Sequence, residues 1–96
     1  GYAMQPRVMI VEDEEALGIL LSYNLQSEGF MVEVIPRGDD ADLRLRETLP
    51  DLLVLEWMLP GISGIELCRR LRARPADARQ LVRGLGTRGH DPASGG

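Results

Sequence analysis

Lysine is absent from this 96-residue chain, and all eleven of its basic residues are arginine. An ion pair that calls for a lysine ammonium is therefore impossible within the chain. There is one cysteine, Cys68, so an intrachain disulfide framework and a cysteine-built zinc site are both excluded. Cys68 falls in an apolar helix stripe and reads as a buried core thiol. The one histidine, His90, stands beside Asp91 in a Gly-rich tail and reads as idle. No apolar stretch approaches the ~20 residues of a membrane span, and no signal peptide is legible. Together with the lone thiol, this points to a reducing, cytoplasmic setting. No Gly-rich phosphate loop is present. Gly61-Ile62-Ser63-Gly64-Ile65 is not a nucleophile elbow, because Ile65 stands where that motif requires glycine. Ser63 reads as a helix cap instead.

The sequence does contain a sharp charge asymmetry. Residues 1–56 carry a net charge of −8 and residues 57–96 a net charge of +4, which gives the overall −4. The arginines of the second half read mainly as a solvated helix face, and no nucleic-acid footprint is evident. Apolar content of 44% is enough for one small core.

Along the chain, strand and helix signals alternate, which predicts a parallel sheet covered by helices. Strand signals fall at Arg7–Val11, Phe30–Ile35 and Leu52–Leu55, with Val8, Ile10, Val32, Val34, Leu53 and Leu55 expected in the core. Helical periodicity covers about Glu14–Ser27, with Leu17, Leu21 and Leu25 on one face. It returns at about Asp39–Leu49, with Ala41, Leu45 and Leu49 inward. A third helix runs from about Gly64 to Arg74, with Ile65, Cys68 and Leu71 inward. Gly29, Pro50 and Pro75 are the natural stops. Ser63-Gly-Ile-Glu66 has the form of a capping box.

Two of these strands end on acids. Arg7–Val11 runs into Glu12-Asp13-Glu14-Glu15, and Leu52–Leu55 runs into Glu56 before a Pro-Gly loop. In open α/β sheets the crevice beyond the carboxyl ends of the strands is where ligands bind. Carboxylates gathered there without cysteine or histidine suit a hard cation such as Mg²⁺.

Val11-Glu12-Asp13-Glu14 and Leu55-Glu56-Trp57-Met58-Leu59-Pro60-Gly61 resemble the receiver domain of bacterial response regulators. Ser63-Gly-Ile-Glu-Leu-Cys-Arg-Arg-Leu71 places the resemblance within the OmpR/PhoB type of transcriptional regulator. The resemblance implies a flavodoxin-like, doubly wound parallel α/β fold, with the first three β-α units recognisable and strand order 2-1-3. It implies a phosphorelay function in two-component signalling, a sensor histidine kinase as partner, and no enzymatic role. It also implies weak Mg²⁺ binding by Glu12, Asp13, Glu56 and the carbonyl of Met58. The family's phosphoacceptor is aspartate, and Glu56 occupies that position here. Its extra methylene and permanent charge imply a module that does not accept phosphate and partly mimics the phosphorylated state. Both an engineered substitution and a natural pseudo-receiver would give this residue. The family's later switch hydroxyl and lysine have no counterpart, since Thr48 and Thr87 stand in other contexts. Trp57 reads as a pocket-rim aromatic or a partner contact.

By this reading residues 1–5 are a tag-like extension, 6–80 the receiver, and 81–96 an atypical tail. Leu81–Thr87 resembles a remnant of the family's fourth helix, with the fourth strand deleted, and a frameshifted or spliced end accounts for the tail equally well. The third strand would then be a bare edge, and a homodimer in which segment 80–87, or that edge itself, pairs with the second chain is expected. The alternative function is accordingly a structural fragment that self-associates. An acid-nucleophile phosphatase is disfavoured because its Asp-x-Asp pattern is missing.

Overall fold

The computed structural model describes residues 5–75 and the backbone of 85–86. Strand β1 (Arg7–Val11) has no polar face, so both of its sides need cover. Helix α1 (Glu15–Ser27) covers one side, and α2 (Gly38–Glu47) and α3 (Gly64–Arg72) cover the other. Strands β2 (Met31–Ile35) and β3 (Leu52–Leu55) flank β1, and β4 (Leu85–Gly86) lies outside β3. All pairs are parallel, in the order β2-β1-β3-β4.

The period of two along each strand divides the core. Met9, Val11, Leu53 and Leu55 point to α2 and α3, meeting Ala41, Leu45, Leu67, Cys68 and Leu71. Val8, Ile10 and Val54 point the other way, toward Leu21, Leu25 and Phe30. Each fully buried aliphatic side chain contributes roughly 1.5–3 kcal/mol relative to exposure. Among the described residues no helix is long and apolar enough to cross a membrane.

Helix α1 ends as its sequence demands. Gly29 takes φ +96 and donates its N–H to the Gln26 carbonyl, while the Phe30 N–H reaches back to Leu25. That pair of bonds is a Schellman closure, and Leu25 and Phe30 pack in the same cluster. Ser63 caps α3, its hydroxyl accepting from the Glu66 N–H at 3.1 Å. The reciprocal half of the capping box is replaced, because the Glu66 carboxylate turns to Arg69 and Arg70.

Four expectations are corrected. Ile65 is 47% exposed, and Leu67 takes its place inside. Gly64 sets the phase, because it is pressed against the Glu56 carbonyl and roots the inward face at 64, 67, 68 and 71. Val34 is 40% exposed because β2 is the sheet's edge. Helix α2 stops at Glu47 rather than Leu49, and Thr48 is already extended, with Leu49 constrained by Pro50. Finally, Leu85–Gly86 forms a strand where a helix remnant was expected. Leu85 pairs with Val54 and Gly86 with Leu55, so the chain covers this part of its own β3 edge. A tethered segment closes such an edge at lower entropic cost than a second molecule. The bare-edge argument for a homodimer therefore fails at Val54 and Leu55.

An ion network ties α2 to α3. Asp42, buried between the helices, accepts from Arg46 at 2.8 Å and from Arg70 at 2.7 Å. Arg70 also holds Glu66. Hydrogen bonds from Arg69 and then Arg70 lower the Glu66 carboxyl from its ordinary 4.5 to about 2. A lowered folded-state value stabilises the fold above the unfolded value and is lost as pH falls through the folded one. The gap in Tm between the native chain and Glu66→Gln is therefore expected to be constant above about pH 5 and to close between 4.5 and 2. A gap that persists unchanged at pH 2, followed by thermal unfolding in low salt, would contradict this.

Candidate functional site

The site begins with strand register. Val11 and Leu55 are paired across β1 and β3, so the next residue on each strand, Glu12 and Glu56, reaches the same sheet edge. The ladder continues through them: the Glu56 N–H donates to Val11 at 3.0 Å, and the Glu12 N–H donates to Ile35 at 3.1 Å. Both side chains are buried, Glu12 at 3% and Glu56 at 4% exposure. Asp13 follows in the open. The structure thus brings Glu12 and Glu56 together at adjacent strand tips, with Asp13 one residue further out.

Met58 contributes differently. Its side chain is 81% exposed, so only its backbone carbonyl is available for the role implied by resemblance. The loop that carries it is pinned at three points. The Gly64 N–H donates to Trp57 at 2.9 Å, and the Gly38 N–H donates to Pro60 at 2.9 Å. Gly61, at φ +82, lies where a Cβ would come within 2.5 Å of Asp39. Arg37 holds the Asp39 carboxyl below its ordinary value through a side-chain hydrogen bond, which keeps that wall of the loop charged.

Among the described residues, no three Asp, Glu, His or Cys side chains already close around one point. The donor chemistry still fits a hard cation, since the residues at this edge offer carboxylate and carbonyl oxygen only.

Other candidates are placed elsewhere. Thr48 accepts from Arg7 at the far end of β1, about 17 Å of strand away from Glu12. Thr87 and His90 lie outside the described residues. Cys68 is buried in the core and forms no disulfide among the described residues. Trp57 is half-buried and packs against the α2/α3 core. Its indole N–H is buried with no acceptor among the described residues. Sequence reasoning missed buried Asp42, whose only signal is its place on the inner side of α2, next to Ala41. It also missed a groove beside α1. The signal there was Ile19 and Tyr23, apolar residues left over once the Leu17-Leu21-Leu25 stripe is used.

A parallel β2-β1-β3-β4 sheet with acids on the adjacent tips of β1 and β3 is the arrangement of a signal receiver. The chain belongs to the response regulator receiver domain family, whose profile matches residues 8–84. It is 60% identical over 88 residues to the phosphate regulon transcriptional regulatory protein PhoB of Rhizobium meliloti, covering 92% of this chain and 39% of that protein. The chain thus spans about two fifths of that relative's length. A putative response regulator from Chloroflexus aurantiacus has the same fold at a TM-score of 0.76 and 31% identity, over 81% of this chain and 63% of that one. The receiver domain of the sensor histidine kinase PA1611 from Pseudomonas aeruginosa, solved with magnesium coordinated in its active site cleft, shares the fold at a TM-score of 0.73. Its identity is 22%, over 81% of this chain and 63% of that one.

Proposed function

We propose that the chain is the receiver module of an OmpR/PhoB-type transcriptional regulator in two-component signalling, refractory to phosphorylation because Glu56 holds the acceptor position. The single observation that carries this reading is the buried Glu56 beside buried Glu12, on the paired tips of β3 and β1. An aspartate at this position would present a carboxylate oxygen in line with an incoming phosphoryl group. Glutamate pushes its carboxylate about one bond length further, into the space the phosphoryl group would take, and in-line reactions tolerate a ~1 Å misplacement poorly. Its carboxylate would stand partway toward the phosphoryl position.

A magnesium ion, when bound, would neutralise the crowded oxygens of a phosphoryl group. Glu12, Asp13 and the Met58 carbonyl would hold it, with Glu56 approaching directly or through water. A sensor histidine kinase is the partner that suits such a module.

The test is phosphorylation by acetyl phosphate with Mg²⁺, read by intact mass. The native chain is expected to gain nothing. Glu56→Asp is expected to gain one phosphoryl group as its carboxylate displaces acetate from phosphorus. Phosphorylation of the native chain at Glu56, or none on Glu56→Asp, would each defeat the reading. In parallel, Mg²⁺ should raise the Tm of the native chain, and Glu12→Gln with Asp13→Asn should abolish that rise.

A further inference from the structure

Between α1 and the outer edge of β2 lies a groove of about 590 Å³, within the ~300–1,000 Å³ range of small-molecule sites. One end is mainly apolar. Ile19, Tyr23 and Val34 line it at 62%, 69% and 40% exposure, with Ser22 and Gln26 beside them, and Ile19 and Tyr23 lie outside the stripe that α1 spends on the core. Gly18 draws the helix close, since a Cβ there would stand 3.1 Å from Val34 Cγ1. The other end is anionic. Asp13 and Glu15 are exposed at its rim, and Glu12 is buried behind them. Among the described residues, the lining contains no basic side chain.

A groove mainly apolar at one end and anionic at the other selects its ligand by charge. We infer that it binds a small amphipathic organic ammonium, with the apolar body on Ile19, Tyr23 and Val34 and the charged head toward Asp13 and Glu15. The net −8 of residues 1–56 favours cations at this surface and repels carboxylate ligands. The Tyr23 ring face adds attraction for an ammonium. Ten residues line the groove, fewer than the ~20–30 that a stable protein partner covers on each side. A small molecule fits that footprint. The inference stands on the groove and does not rest on phosphoryl chemistry, although the two share Asp13. A bound ammonium is therefore expected to oppose Mg²⁺.

Amide chemical-shift titration of the full chain tests it, with phenethylammonium as probe and phenethyl alcohol as its neutral counterpart. Saturable shifts are expected at Ile19, Tyr23 and Val34, with the alcohol about tenfold weaker. Asp13→Asn with Glu15→Gln should erase that tenfold preference. Tyr23→Ala, at an exposed position that the fold does not need, should weaken both probes. Leu43→Ala, exposed on α2, should change neither. Equal binding of the two probes, or shifts scattered over other faces, would overturn the inference. So would probe-free, concentration-dependent broadening at Ile19 and Tyr23, which would mean that a second copy fills the groove. Loss of the Mg²⁺ response with the ammonium preference intact would count against the metal reading alone.

Discussion

Gly38→Ala is expected to unfold the domain or tear the Met58 loop away from α2, with a stability loss above ~4 kcal/mol. A Cβ on Gly38 would sit 1.6 Å from the Ile62 carbonyl oxygen and 2.6 Å from its carbon. These are backbone atoms, so no side-chain rotation relieves the overlap. The same glycine donates its N–H to Pro60, so any retreat also breaks that bond. Total stabilities of ~5–15 kcal/mol leave little to absorb such a loss. Gly64→Ala meets the Glu56 carbonyl at 2.0 Å and should disturb the tip of β3 directly. Gly29→Ala is the control. No atom lies within 4 Å of its Cβ, and its φ of +96 alone costs about 1 kcal/mol. Urea unfolding of the three variants gives the comparison, and equal midpoints for Gly38→Ala and Gly29→Ala would refute the close approach.

Leu67→Ala is expected to cost about 2–5 kcal/mol. Leu67 is 0% exposed and packs with Val11, Leu55, Cys68 and Leu71 in the cluster beneath α3. The cavity left by truncation is walled by strands and two helices, so it can collapse only partly. Ile65→Ala, two residues away, should stay within about 0.5 kcal/mol, because that side chain is 47% exposed. Chemical denaturation of both variants separates the two phases of α3. A larger loss for Ile65→Ala would restore the inward face expected from sequence periodicity.

That pair also shows how far the sequence reaches. Strands β1 and β3 were legible to the residue, since β3 and the part of β1 after Arg7 are unbroken apolar runs closed by acids. The end of α1 was legible too, because glycine at position 29 admits the left-handed φ that stops a helix. The phase of α3 was not, because the fit of Gly64 against the Glu56 carbonyl comes from a loop outside the helix. Strand β4 was not, because its two residues carry too short a pattern to read.

For the site, the sequence by itself determined which side chains stand at the strand ends: carboxylates at two of them, with neither cysteine nor histidine beside them. Its local patterns are enough for that, because strand ends and residue types are local properties. Only the tertiary structure decided that Glu12 and Glu56 are buried neighbours, that Trp57 packs against the core, and that Asp42 joins two helices. It alone left Ile19, Tyr23 and Val34 facing a groove. Burial and neighbourhood depend on which elements pack together, and parallel register is set by contacts far apart in the chain.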